Sequence, residues 1–212
     1  MGIKELKEMC CQANLELARR GLVVYTWGNV SQLDRERGIF VIKPSGVPYE
    51  ELTGEMMVAV DVETGKPLED RYKPSSDTPT HVELYRAFEG IGGVTHTHST
   101  CATAWAQAGL PIPCMGTTHA DYFHGDVPVT RHLTKEEVEE AYEKNTGKVI
   151  VETFRGRNPV HTPAVLCAGH GPFTWGKDAA QSVYHAVVLE EVAKMAMWTY
   201  AVNAGAESLP QY

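Results

Sequence analysis

The stretch that constrains this chain most is Gly92-Gly93-Val94-Thr95-His96-Thr97-His98-Ser99. Its apolar start and two leading glycines read as a short strand, and the small polar residues after it read as a helix start. Residues two apart on a strand point to the same face, so His96 and His98 aim at one point. Ser99 then stands where it can cap a helix beginning at Thr100. Imidazole nitrogens suit zinc and its first-row neighbours, and a same-face pair at a strand end is a good beginning for a metal site. A pair of strand-end histidines can equally serve as hydrogen-bonding groups. The rest of the chain has to decide between the two.

Around this strand the pattern alternates between helix and strand. Ile3, Leu6, Cys10, Ala13 and Leu17 recur at three or four residues, which predicts an amphipathic helix ended at Gly21. Leu22 to Thr26, Ile39 to Ile42, Met57 to Val62, Val149 to Val151 and Ala164 to Cys167 read as strands, and a further one follows the turn at Trp27-Gly28. A short helix is expected over Tyr49 to Leu52. Thr78 with Pro79 predicts a helix start, running to Phe88. Thr134 with Glu137, and Asp178 with Gln181, read as capping boxes opening two further helices, to Lys144 and about Val202. The mixture predicts one α/β domain, a sheet covered by helices on both faces.

Charge and cysteine content narrow the function. The 212 residues carry a formal net charge of −8, with no basic cluster, which argues against nucleic-acid binding. Five cysteines, two of them adjacent and none in a C-x-x-C, argue against a disulfide framework and for a reducing cytoplasm. No apolar run reaches the roughly 20 residues of a membrane span. There is neither a G-x-G-x-x-G nor a phosphate-binding P-loop, so a nucleotide site has no support.

Two more positions can join the histidine pair. His170 lies between Gly169 and Gly171, just after an apolar strand, and Asp77 directly precedes a helix in a hydroxyl-rich loop. Each alone has an ordinary turn or helix-start role. Together, Asp77, His96, His98 and His170 complete a donor set for a divalent cation. A second set, Gly28-Asn29, Ser45-Gly46 and Ser75-Ser76, is small and polar at strand ends and helix starts, as a phosphate requires, with Lys43 able to add a charge. Asp121, in the polar and aromatic stretch Gly116 to Phe123, is a candidate acid or base.

The words TWGNVS, FVIKPSGV, KPSSDTPTH, GGVTHTHS, ATAWAQAG, GTTHADYF, VIVETF and GHGPFTWGK, spread from about Asn14 to about Ala193, resemble the class II aldolase/adducin family. Within it they are similar to the branch that interconverts L-ribulose 5-phosphate and D-xylulose 5-phosphate. The family's aldolases usually carry glutamate where Asp77 stands. The resemblance implies a central, mostly antiparallel sheet between helical layers and a zinc site at Asp77, His96, His98 and His170, with manganese or cobalt suited to similar donors. It implies binding of a phosphorylated ketopentose at Gly28, Asn29, Lys43, Ser45, Gly46, Ser75 and Ser76. Thr117 and Glu143 match positions that support the site across a subunit boundary, and Asp121 takes the place of a proton donor and acceptor. The assembly implied is a homotetramer with sites between neighbours, serving pentose breakdown from L-arabinose or ascorbate. Alternatives within the family are a ketose-phosphate aldolase of the L-fuculose type and a non-catalytic adducin-like module. Relatives carry a second acid/base, a tyrosine, in a tail beyond the last helix. Tyr212 is not given that role, because the tail's surroundings are absent.

Overall fold

The computed structural model describes residues 2–210. Six strands form one antiparallel sheet: β1 (Asn29–Asp34), β2 (Ile39–Ile42), β3 (Val58–Asp61), β4 (Gly93–His96), β5 (Ala164–Cys167) and β6 (Gly171–Gly176), in the order β3-β2-β1-β4-β6-β5. The expected α/β architecture holds. The period of two along each strand sorts the core into two layers. Phe40, Ile42, Val94, Phe173 and Trp175 face α2 (Thr78–Ala87) and α5 (Lys135–Thr153). Ile39, Val41 and Ala59 face α1 (Ile3–Arg19), while Val30 packs with α1 and α6 (Ala179–Val202). Also present are α3 (Thr100–Ala108), the four-residue α4 (Thr117–Ala120) and two single-turn 3-10 helices, Gly54–Met56 and Tyr49–Glu51, the latter where a short helix was expected. Among the described residues no helix is long and apolar enough to cross a membrane.

The glycines before the histidine strand have a steric reason. A Cβ on Gly93 would lie 2.3 Å from the carbonyl carbon of Asp178. Only glycine lets the start of β4 slide under the N-terminus of α6. Asp178 caps that helix by accepting from the Gln181 amide, but the box is half made: the Gln181 side chain accepts from the Lys177 amide, one residue before the expected donor. The Thr134–Glu137 box forms in both directions.

Several local expectations fail for identifiable reasons. Leu22 to Thr26 is not a strand, and Tyr25 there takes a left-handed φ of 54°. Val149 to Val151 lies in α5, which continues nine residues past Lys144; a short apolar run has the same appearance in a buried helix as in a strand. Gly147 allows this helix to press on α2, since a Cβ there would sit 2.7 Å from the Cβ of Glu83. β6, starting on Gly-Pro and ending on glycine, carried no alternating signal and was not expected. Asp77, not Thr78, occupies the capping position of α2, and its side chain makes no cap bond. Ser99 holds the capping position of α3 with an unused side chain. Glu190 of α6 does that work, accepting from the amides of Cys101 and Ala102 at 2.8 and 2.9 Å.

Candidate active site

The cleft opens at the end of the sheet where β4 stops and β6 begins. β4 ends at His96, so His98 lies beyond the strand, yet the two rings still converge. Their Nε2 atoms are 3.1 Å apart, and the Nε2 of His170 is 3.1 Å from that of His98. The donor atoms of all three lie within 4.8 Å of one another. His170 reaches them because the Gly169-His170-Gly171 turn lies flat against the β4 exit. A Cβ on Gly171 would stand 2.8 Å from the Thr97 carbonyl.

His96 is held as a metal ligand is. The Nδ1–H of His96 donates to the carbonyl of Pro172 at 2.9 Å, which leaves its Nε2 with a free lone pair. Phe173, its cross-strand partner on β6, stacks on the ring with centroids 4.2 Å apart. Burial lowers the pKa of both His96 and His170 to about 3, and lowers that of His98. All three are neutral at physiological pH, the form a metal requires. Three nitrogens this close, with no other partner for their Nε2 atoms, fit a divalent cation.

Asp77 stands outside that group of three. Its carboxylate lines the same cleft and accepts from the Nδ2 of Asn29 at 2.7 Å. Asn29 lies directly opposite His96 in the β1–β4 register, and its Nδ2 also donates to Ser75 Oγ at 3.1 Å. The expected four-residue donor set is thus three imidazoles together and a carboxylate beside them, restrained by a neighbour.

The polar residues expected to hold phosphate line the same cleft of about 320 Å³: Gly28, Asn29, Lys43, Ser45, Gly46, Ser75 and Ser76. Two loops form that wall, laced together by the Ser45 amide on the Lys73 carbonyl (2.9 Å) and the Ser75 amide on the Lys43 carbonyl (3.0 Å). Those two amides are therefore spent, and Ser45, Gly46 and Ser76 are exposed residues lining the cleft. Gly28 has a steric role, since a Cβ there would meet the His96 carbonyl at 2.8 Å. Lys43 lines the cleft from a buried position. Its ammonium is buried, donates to the Val47 carbonyl at 2.7 Å and sits 4.7 Å above the Tyr49 ring. Desolvation lowers its pKa to about 8. That bond braces the loop at the wall of the cleft that Lys43 lines.

Glu143 lines the cleft of its own chain, where a position across a boundary was expected. A break in α5 at Ala141 (φ −164°, ψ 76°) turns Tyr142 and Glu143 toward the histidines, and Asn145 donates to the Glu137 carbonyl across the break. Thr117 and Asp121 are elsewhere. Both are exposed on or just after α4, and Asp121 borders a different cavity with Tyr122, Gly176 and Tyr184. Gly176 ends the strand that begins beside His170, so the two places lie about a strand's length, roughly 17 Å, apart. One chain does not bring Asp121 to its own histidines. Tyr212 lies outside the described residues.

Sequence reasoning did not single out Trp27, half-exposed with its ring 6.0 Å from His98, or Tyr142, 5.8 Å from His170. Trp27 adjoins Gly28-Asn29, which was the available signal. Tyr142 had none, because only the break in α5 aims it at the cleft.

The fold is shared with solved structures. An L-fuculose 1-phosphate aldolase superposes with a TM-score of 0.80 at 27% identity, over 97% of this chain and 91% of the other. A protein from Klebsiella pneumoniae described as YgbL, a putative aldolase/epimerase/decarboxylase, gives 0.76 at 26% identity over 99% and 96%. An L-fuculose-1-phosphate aldolase from Thermus thermophilus gives 0.73 at 24% identity over 96% and 98%, a likeness of fold. Residues 8–197 match the family described as Class II Aldolase and Adducin N-terminal domain, and the chain belongs to that family.

Proposed function

We propose that this chain is an L-ribulose-5-phosphate 4-epimerase, which interconverts L-ribulose 5-phosphate and D-xylulose 5-phosphate by breaking and remaking the C3–C4 bond. The observation that carries the reading is the convergence of three neutral imidazole Nε2 atoms on the floor of a cleft whose wall is built of small hydroxyl residues. His96, His98 and His170 would hold a divalent cation, zinc or a first-row neighbour, with Asp77 as the fourth group. Bound there, the cation supplies Lewis acidity, polarising the substrate's carbonyl and offsetting the negative charge that grows when C3–C4 parts.

The chain's own residues do the rest. The Ser45, Gly46 and Ser76 wall receives the phosphate, so the short aldehyde fragment stays bound while it turns over. Glu143 is placed to meet a substrate hydroxyl. Trp27 and Tyr142 narrow the mouth of the cleft beside the histidines and limit water. Proton exchange at the C4 hydroxyl falls to Asp121. Since one chain holds Asp121 far from its own cleft, this reading requires a second copy to present it, and a closed homotetramer with sites between neighbours satisfies that.

The aspartate in KPSSDTPTH supports the epimerase. The likeness to an L-fuculose 1-phosphate aldolase favours a second reading, cleavage of a ketose phosphate with release of the aldehyde. Incubation with L-ribulose 5-phosphate separates them. The epimerase reading expects D-xylulose 5-phosphate as product; free glycolaldehyde phosphate as the main product gives the aldolase.

A further inference from the structure

The capping residue of α2 and a residue one helical turn into it face two residues of β1. Asp77 meets Asn29, and His81 meets Ser31. Both pairs lie on the sheet face that carries His96. His81 is fully buried, and its ring stands edge-on to Phe173. The Nδ1 of His81 is 2.7 Å from Ser31 Oγ, which is 2.6 Å from the hydroxyl of Tyr85. The Nε2 of His81 is buried with no partner.

Hydrogen bookkeeping fixes the direction of this chain. If His81 donated from Nδ1 to Ser31, and Ser31 to Tyr85, the Tyr85 hydrogen would have no acceptor in the chain. If Tyr85 donates to Ser31 and Ser31 donates to Nδ1, both hydroxyl hydrogens are used. The second arrangement leaves a single unsatisfied group, an Nε2–H on His81. Burial keeps the ring neutral, which is consistent with a single ring proton. A buried donor without an acceptor is costly, on the order of 1–3 kcal/mol, so this one marks an intended partner. Residues four apart on a helix are neighbours, and four residues before His81 is Asp77, half-buried and already bonded to Asn29 through Oδ2. A carboxylate can accept further hydrogen bonds on its remaining lone pairs.

We propose that His81 is a positioning residue whose Nε2–H orients the Asp77 carboxylate beside the three histidines. Tyr85 and Ser31 fix its tautomer, and Asn29 restrains the carboxylate from the opposite side. The inference rests on the metal reading given above. It adds an outer partner to the one potential ligand that stands apart from the imidazoles.

The test uses the full chain, stripped with a chelator, with the zinc dissociation constant measured by competition against a chromophoric chelator. His81→Asn keeps an acceptor near Nδ1 for the Ser31 hydroxyl and loses the reach of Nε2, whereas His81→Gln places a donor near Nε2. Outer partners of metal ligands typically contribute 10–100-fold in affinity, so His81→Asn should weaken zinc by that factor and His81→Gln by no more than about threefold. In an Asp77→Asn background, His81→Asn should add less than about a threefold further loss. Both variants are polar and of similar or smaller size, and thermal unfolding of the metal-free proteins checks that they fold. Equal losses in the two variants, or an undiminished loss in the Asp77→Asn background, overturns the proposal. His98→Asn is the control. If it binds zinc as wild type does, the metal reading itself fails; if it alone loses zinc while both His81 variants bind normally, only the role of His81 fails.

Discussion

The two ends of the sheet differ in how much of a site they hold. At the end where β4 stops, three imidazoles, a carboxylate and a hydroxyl wall from separate segments of the chain meet in one cleft. At the other end, Asp121 is exposed beside a Tyr122–Tyr184 hydroxyl pair 2.7 Å apart, with no metal-type cluster around it among the described residues. The first end is built by contacts within one chain. The second sets Asp121 beside a separate cavity lined also by Tyr122, Lys177, Tyr184 and His185, with none of the three converging histidines. On the proposed reading, binding and acid/base work are divided between two places that a second copy would join.

That division can be broken in order of expected effect. His98→Asn removes one of three converging donors. Bound zinc after dialysis, measured by elemental analysis, should fall to background, and epimerisation with it. Zinc retained at wild-type stoichiometry would break the assignment of the first end. Asp121→Asn should keep zinc and structure but lower turnover by about two orders of magnitude or more, the usual loss for a general acid/base. An intact rate would remove the second end from the mechanism.

The sharpest form of the comparison mixes the two defects. Co-expressed subunits carrying His98→Asn and Asp121→Asn, purified through two tags, should regain about a quarter of wild-type activity, because random mixing in a closed assembly makes one interface in four fully intact. No recovery in verified mixed oligomers would mean that cleft and Asp121 are not shared between copies.

The smallest effect is on stability. Burial lowers His81, His96 and His170 to about 3 in the fold, against about 6.5 for an unfolded histidine. The unfolded chain therefore binds more protons between those values, and stability, full above about pH 6.5, is lost as pH falls toward 3. For the fully buried His81 alone the slope is about 1.4 kcal/mol per pH unit. The urea midpoint of the metal-free protein should drop from pH 7.5 to pH 5; a flat profile would contradict the burial of these rings.

What could be read from the sequence follows the same division. Local signals carried far: β2 and β5 were legible from apolar runs, α5 from its capping box, and His96, His98 and His170 from their glycine-flanked settings. Features set by distant partners were not. Glu190 caps α3 from α6, Lys43 turns to the carbonyl of Val47, and the break at Ala141 brings Tyr142 and Glu143 to the cleft. Spacing cannot show any of these, because each depends on a residue that the fold delivers. The absence of Asp121 from the histidine cleft is of the same kind: the sequence places it among reactive residues, and only the sheet shows it at the far end.

The central claim is that three imidazoles form the seat of one cation. Crystals grown with zinc and measured at the zinc absorption edge test it directly through the anomalous difference map. The account predicts one strong peak roughly 2.0–2.1 Å from the Nε2 atoms of His96, His98 and His170. A peak at another cluster, or none at these three rings in crystals shown to contain zinc, would contradict it.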